Sequence, residues 1–168
     1  MCKTKKTSCW RKTLSAGDIV SFAFPSSERL AEMEKARPSL VLAVDRQDDE
    51  TMVTVAYGTS SRTRSNTGFE LHVRTPEDVA AAGLHKPTRF IGARTVTVPL
   101  PSSRFVECAG GTVVLGRVPP QLRLRLEQVA RLASQSGSAS RRRGCRTPHG
   151  RRHRSPPRPE RTDPRSAG

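Results

Sequence analysis

Apolar and polar residues alternate over most of residues 14–133, the two-residue period of half-buried β-strands. Gly17-Asp18 opens the first run, in which Val20, Phe22 and Phe24 share one face, and Pro25-Ser26-Ser27 ends it. Glu28–Ala36 is rich in Glu, Ala, Leu and Met and predicts a helical turn or two. Pro38 stops that helix, because it pushes Arg37 towards extended geometry. Ser39–Asp45, built on Leu40, Val41, Leu42 and Val44, reads as a buried strand, and Thr51–Tyr57 returns from the polar turn Gln47–Glu50 as its hairpin partner. A long loop of Ser, Thr, Arg, Asn and Gly follows over residues 58–68, then a short strand at Phe69–Val73. Thr75 caps a short helix with Pro76, Glu77 and Asp78 in its first turn, and Gly83 ends it. Arg89–Ile91 and Arg94–Leu100 read as one long strand bent at Gly92. Thr112–Val118 is the last strand. Pro119 and Pro120 introduce a helix over Gln121–Ala133 whose apolar stripe is Leu122, Leu126, Val129 and Ala133, with Leu124 on the opposite side. The pattern predicts a mainly β chain with short helices, folded as a strongly bent sheet or small barrel.

The two ends differ from this middle. Thirty Lys and Arg against fifteen Asp and Glu give the 168-residue chain a net charge of +15, which suggests a nucleic-acid binder. Most of that charge is terminal. Residues 1–13 hold five basic and no acidic groups, and residues 134–168 hold ten basic and two acidic, so residues 14–133 are close to neutral. No apolar residue larger than Ala follows Leu132 except Cys145 and the prolines. The expected organisation is a basic disordered tail over 1–13, a folded domain over 14–133, and an Arg/Pro/Ser-rich disordered tail over 134–168. The longest aliphatic run, Leu40–Val44, is far short of the roughly 20 residues of a membrane span. Cys2, Cys9, Cys108 and Cys145 form no C-x-x-C pair, which argues against a zinc site and reads as free thiols in a reducing cytosol.

Familiar catalytic motifs are missing: there is no G-x-S-x-G, no phosphate-binding glycine loop and no H-E-x-x-H. His72 and His85 are the histidines of the middle region, and their spacing does not place both on one phosphate. Arginines and hydroxyls at strand ends remain. In an antiparallel hairpin the start of one strand lies beside the end of the other, so Arg37 and Thr59 should share a rim, with Ser60 and Ser61 beside them. A permanently charged guanidinium with five donors suits a phosphate whose charge grows in the transition state. Arg62 and Arg64 on the loop could track a nucleic-acid backbone. The plainer alternative is that Arg37 pairs with Glu34 or Glu70 at the surface.

Gly17-Asp18-Ile19-Val20 with Phe24-Pro25, then Ala36-Arg37-Pro38-Ser39-Leu40-Val41-Leu42, then Val53–Ala56 leading to Gly58-Thr59-Ser60, resembles the PemK/MazF-like toxins of bacterial toxin–antitoxin pairs. The resemblance covers about residues 16–132. It implies an SH3-like barrel that dimerises, and a cytoplasmic endoribonuclease that cuts single-stranded RNA without a metal or cofactor. In such an enzyme the 2′-hydroxyl attacks its own phosphate. It further implies Arg37 as proton donor or phosphate stabiliser, Thr59 as its partner with Ser60 next, a cognate antitoxin, and operator DNA bound as part of the antitoxin complex. Two local departures stand out: a helix-forming segment precedes Arg37 where the family has a glycine-containing loop, and Tyr57-Gly58 precedes Thr59 where the family often has proline. A non-catalytic barrel that binds nucleic acid or a protein is the alternative.

Overall fold

The computed structural model describes residues 10–25, 35–47, 50–61, 63 and 65–141. Among these residues six strands form one antiparallel sheet: β1 (Asp18–Ala23), β2 (Ala36–Arg46), β3 (Thr51–Thr59), β4 (Glu70–Val73), β5 (Thr88–Pro99) and β6 (Val114–Arg117). Their order across the sheet is β4-β5-β3-β2-β1-β6, and the sheet curls into a half-barrel. Three helices accompany it: α1 (Trp10–Thr13), α2 (Pro76–Ala81) and α3 (Arg123–Arg141), the last entered through a 3₁₀ turn at Pro120–Leu122. Thr75 caps α2 by accepting a hydrogen bond from the Asp78 amide at 3.2 Å.

The sheet is buried on both faces, which explains why Leu40–Leu42 is continuously apolar rather than alternating. One face packs Ile19, Leu40, Leu42, Ala56, Leu71, Val73 and Phe90 against Leu126, Val129 and Ala133 of α3. The other packs Val20, Phe22, Phe24, Val41, Val53 and Val55 against Trp10, Leu14, Leu100, Phe105 and Val113. Leu124 is 75% exposed, as its position off the apolar stripe predicts.

The bend at Gly92 is a bulge. Ala56 faces Thr95 while Tyr57 faces Ile91, so Gly92, Ala93 and Arg94 are extra residues on β5. A Cβ on Gly92 would come within 2.5 Å of the Val129 side chain, so glycine there lets α3 lie close on the bent strand. The bulge also aims Arg94 across the other face, where its guanidinium lies 4.0 Å from the Tyr57 ring centre.

Two expected boundaries move. Residues 10–13, placed in the N-terminal tail on their charge, form a helical turn that buries Trp10 to 5% exposure against Phe105. One large ring filling a core gap outweighs the basic residues around it. At the other end α3 runs through residues 134–141, expected as tail, because a helix already anchored by Leu126, Val129 and Ala133 extends cheaply by further turns. Residues 1–9 and 142–168 lie outside the described residues, as does most of the expected helical segment at 28–36; its last residue, Ala36, begins β2.

Candidate functional site at the sheet rim

The ladder between β2 and β3 pairs Leu40 with Ala56 and Ser39 with Tyr57. Its next step brings the Pro38 carbonyl against Gly58, and one step further along the same two strands stand Arg37 and Thr59. Thr59 is in turn opposite Arg89 on β5, and Arg89 is opposite His72 on β4. Residues opposite one another in a ladder project to the same face. One row therefore crosses three strands at one rim, Thr59, Arg89 and His72, with Arg37 at the same end of β2.

A cavity of about 680 Å³ opens along this row, lined by Thr59, Ser60, Ser61 and Thr63 on one side and His72, Arg74, Lys86 and Arg89 on the other. Of the residues picked out from the sequence, Thr59 and Ser60 line it. Arg37 is exposed at the same rim but is not part of the lining, and Arg62 and Arg64 lie outside the described residues. The Thr59 hydroxyl accepts a hydrogen bond from the Ser61 amide at 3.1 Å, which turns the chain and leaves the hydroxyl proton free to be donated.

The sequence reading missed the groups behind these hydroxyls. Arg89 is buried, with its side chain 8% exposed, and its Nη1 donates to Glu70 Oε1 at 2.5 Å. The same guanidinium donates to the Thr63 carbonyl at 2.9 Å and to the Thr63 hydroxyl at 2.5 Å, so it ties the long loop to the sheet. Its Nε is buried without a partner among the described residues. Glu70 also meets His72 Nε2 at 2.9 Å through its second oxygen. Glu70 therefore pairs with Arg89 and His72, not with Arg37, and the suggested Glu70–Arg37 pair is not formed; Glu34 lies outside the described residues.

His72 Nδ1 is 3.2 Å from Arg74 Nη2. Burial and the Arg74 cation hold the His72 pKa below the usual imidazole value, against the opposing pull of Glu70. His85 does not line the cavity. Behind β4, Arg125 of α3 donates to the backbone carbonyls of Glu70 at 2.9 Å and Gly68 at 2.7 Å, fixing the edge strand that carries Glu70 and His72.

The signal for this cluster was present in the alternation Glu70, His72 along β4, but only the β4–β5 register, with His72 opposite Arg89 and Glu70 opposite Ile91, puts both within reach of Arg89. The Gly17-Asp18 opening has a separate, structural explanation. Asp18 accepts from the Ser15 amide at 2.7 Å and meets Arg117 Nε at 3.3 Å, joining β1 to β6.

These features define a small antiparallel half-barrel with a cationic, hydroxyl-lined cavity at one end of its central strands. Residues 15–132 match the PemK-like, MazF-like toxin family of type II toxin–antitoxin systems, and the chain belongs to that family. No curated protein matches the chain. No helix among the described residues is long and apolar enough to cross a membrane.

Proposed function

We propose that this toxin is an endoribonuclease that cuts single-stranded RNA at the rim, is held inactive by a cognate antitoxin, and works in the cytoplasm as a homodimer. In the proposed reaction the ribose 2′-hydroxyl attacks the adjacent phosphorus and the bond to the 5′-oxygen breaks. The products are a 2′,3′-cyclic phosphate and a free 5′-hydroxyl. Arg37 stabilises the charge that grows on the phosphate, and the Thr59 hydroxyl, backed by Ser60, holds the phosphate in place. The site draws its positive charge from side chains, Arg37, Arg74, Lys86 and Arg89, so cleavage should persist in a metal chelator. Arg62 and Arg64 track the RNA backbone beyond the cut. Operator DNA is bound only as part of the antitoxin complex.

The observation that carries this reading is the rim row itself: Thr59 and Arg89 are ladder partners, Thr59 and Ser60 line a cavity, and Arg37 lies at the same end of β2. The test is induced expression of the wild type and Arg37→Ala in bacteria, with transcripts mapped for new ends. Arrest and 5′-hydroxyl ends with the wild type alone support the ribonuclease. Equal arrest by both, or by neither, favours a non-catalytic barrel that binds nucleic acid or a protein.

A further inference from the structure

We propose that His72, oriented by Glu70, is the general base that removes the 2′-hydroxyl proton. This rests on the ribonuclease reading above. His72 lies in the rim row two strands from Thr59, with Arg89 between them, and its imidazole lines the cavity with its side chain 34% exposed. Two strand spacings, about 9–10 Å, separate the backbones of His72 and Thr59, and both residues line the one cavity of about 680 Å³.

The hydrogen bonds decide which nitrogen is basic. Arg74 can only donate, so His72 Nδ1 accepts from it, and the ring proton sits on Nε2, which donates to Glu70. Glu70 is buried, its side chain 6% exposed, and its other oxygen is held by Arg89. The imidazole is thus fixed in one tautomer with a carboxylate behind it, the arrangement that stabilises an imidazolium once formed. Among the described residues, the lone pair of Nδ1 is covered by the exposed Arg74. An incoming phosphate is the stronger partner for that guanidinium, and its transfer to the phosphate uncovers Nδ1.

The 2′-oxygen forms its bond to phosphorus as its proton passes to Nδ1, and the P–O5′ bond breaks. The departing O5′ takes a proton from water, and the imidazolium gives its proton to the hydroxide so formed. Nothing is oxidised or reduced.

The experiment is the pH dependence of cleavage of a defined single-stranded RNA by the full chain, over about pH 5–8. The charges facing His72 are Glu70 on its own strand, Arg74 just beyond it, Arg89 on β5, and Lys86 in the same cavity lining. The wild-type rate should rise with pH through a limb below 6.5 and then level off. His72→Gln should lose that limb and about 10²–10⁴ of the rate. Arg74→Gln should move the limb upward, since the cation that disfavours the imidazolium is gone. Added imidazole should restore part of the activity of His72→Ala, which a purely structural histidine would not allow. Cleavage by His72→Gln at the wild-type rate and with the wild-type profile overturns the proposal and leaves the ribonuclease reading standing. Should the variants fail to fold, a wild-type profile without the acid limb overturns it equally. A wild type that cleaves no RNA overturns both.

Discussion

A Cβ placed on Gly58 would lie 1.9 Å from the carbonyl oxygen of Pro38 and 3.0 Å from the Phe90 ring. The first neighbour is backbone and cannot swing away, so β2 and β3 meet at this rim only because residue 58 has no side chain. Gly58→Ala should push the two strands apart at the end that carries Arg37 and Thr59. The expected cost is about 1–3 kcal/mol, read as a lower urea midpoint. Cleavage should fall further than stability, because the row is disrupted even in molecules that remain folded. Wild-type cleavage in a folded Gly58→Ala protein would separate the rim spacing from the chemistry.

Arg37→Lys keeps the charge and loses the two-pronged guanidinium. If Arg37 holds the phosphate through paired hydrogen bonds, the substitution should cost about 1.5–3 kcal/mol of transition-state stabilisation, roughly tenfold to a hundredfold in kcat/KM. Full activity in the lysine variant would mean that Arg37 acts through charge alone. A substrate carrying a 2′-deoxyribose at the cut site should not be cleaved by either protein.

Glu70→Ala leaves the buried Arg89 guanidinium without its counter-charge. Breaking one half of a buried pair costs about 3–5 kcal/mol, whereas replacing both halves with apolar residues is far milder. Urea unfolding should therefore find Glu70→Leu strongly destabilised and the double variant Glu70→Leu, Arg89→Met closer to wild type. A loss below about 1 kcal/mol in Glu70→Ala would show that the pair behaves as a surface ion pair.

His72 also makes stability depend on pH, and the sign follows from its lowered pKa. Below about 6.5 the unfolded chain takes up a proton that the folded imidazole still refuses, so the unfolded state binds more protons there. Stability should fall as pH drops from 6.5 towards the folded pKa, then stop changing on account of this group. Urea midpoints of wild type minus those of His72→Gln, plotted against pH, should show that loss. A difference that stays flat across the window would mean that His72 titrates alike in both states.

Much of the fold was legible because it rests on local pattern. The hairpin of β2 and β3, the Thr75 cap, the bend at Gly92 and the apolar stripe of α3 each follow from residues close in sequence, and the structure contains all of them. Strand direction alone also placed Arg37 and Thr59 at one rim. Trp10 was hidden by its neighbours: a single ring among basic residues carries no period, and the cluster that buries it, Phe105 included, is gathered from distant parts of the chain. The Glu70–Arg89 pair was illegible for another reason. It depends on which residues of an edge strand oppose which on β5, and four residues of strand do not specify a register by themselves.

The sheet order also sets a sequence of events in time. β1 pairs on one side with β2, but on its other side with β6, where Ile19 faces Gly116 across about 100 residues of intervening chain. A chain emerging from the ribosome can assemble β2, β3, β4 and β5 with the rim they carry while the outer edge of β1 still stands open. Asp18 then waits for Arg117 at the end of the last strand to be made, and closing that long loop carries an entropy cost that grows with its length. A half-made copy of this protein therefore lacks both the seam between β1 and β6 and the α3 cover on one face of the sheet.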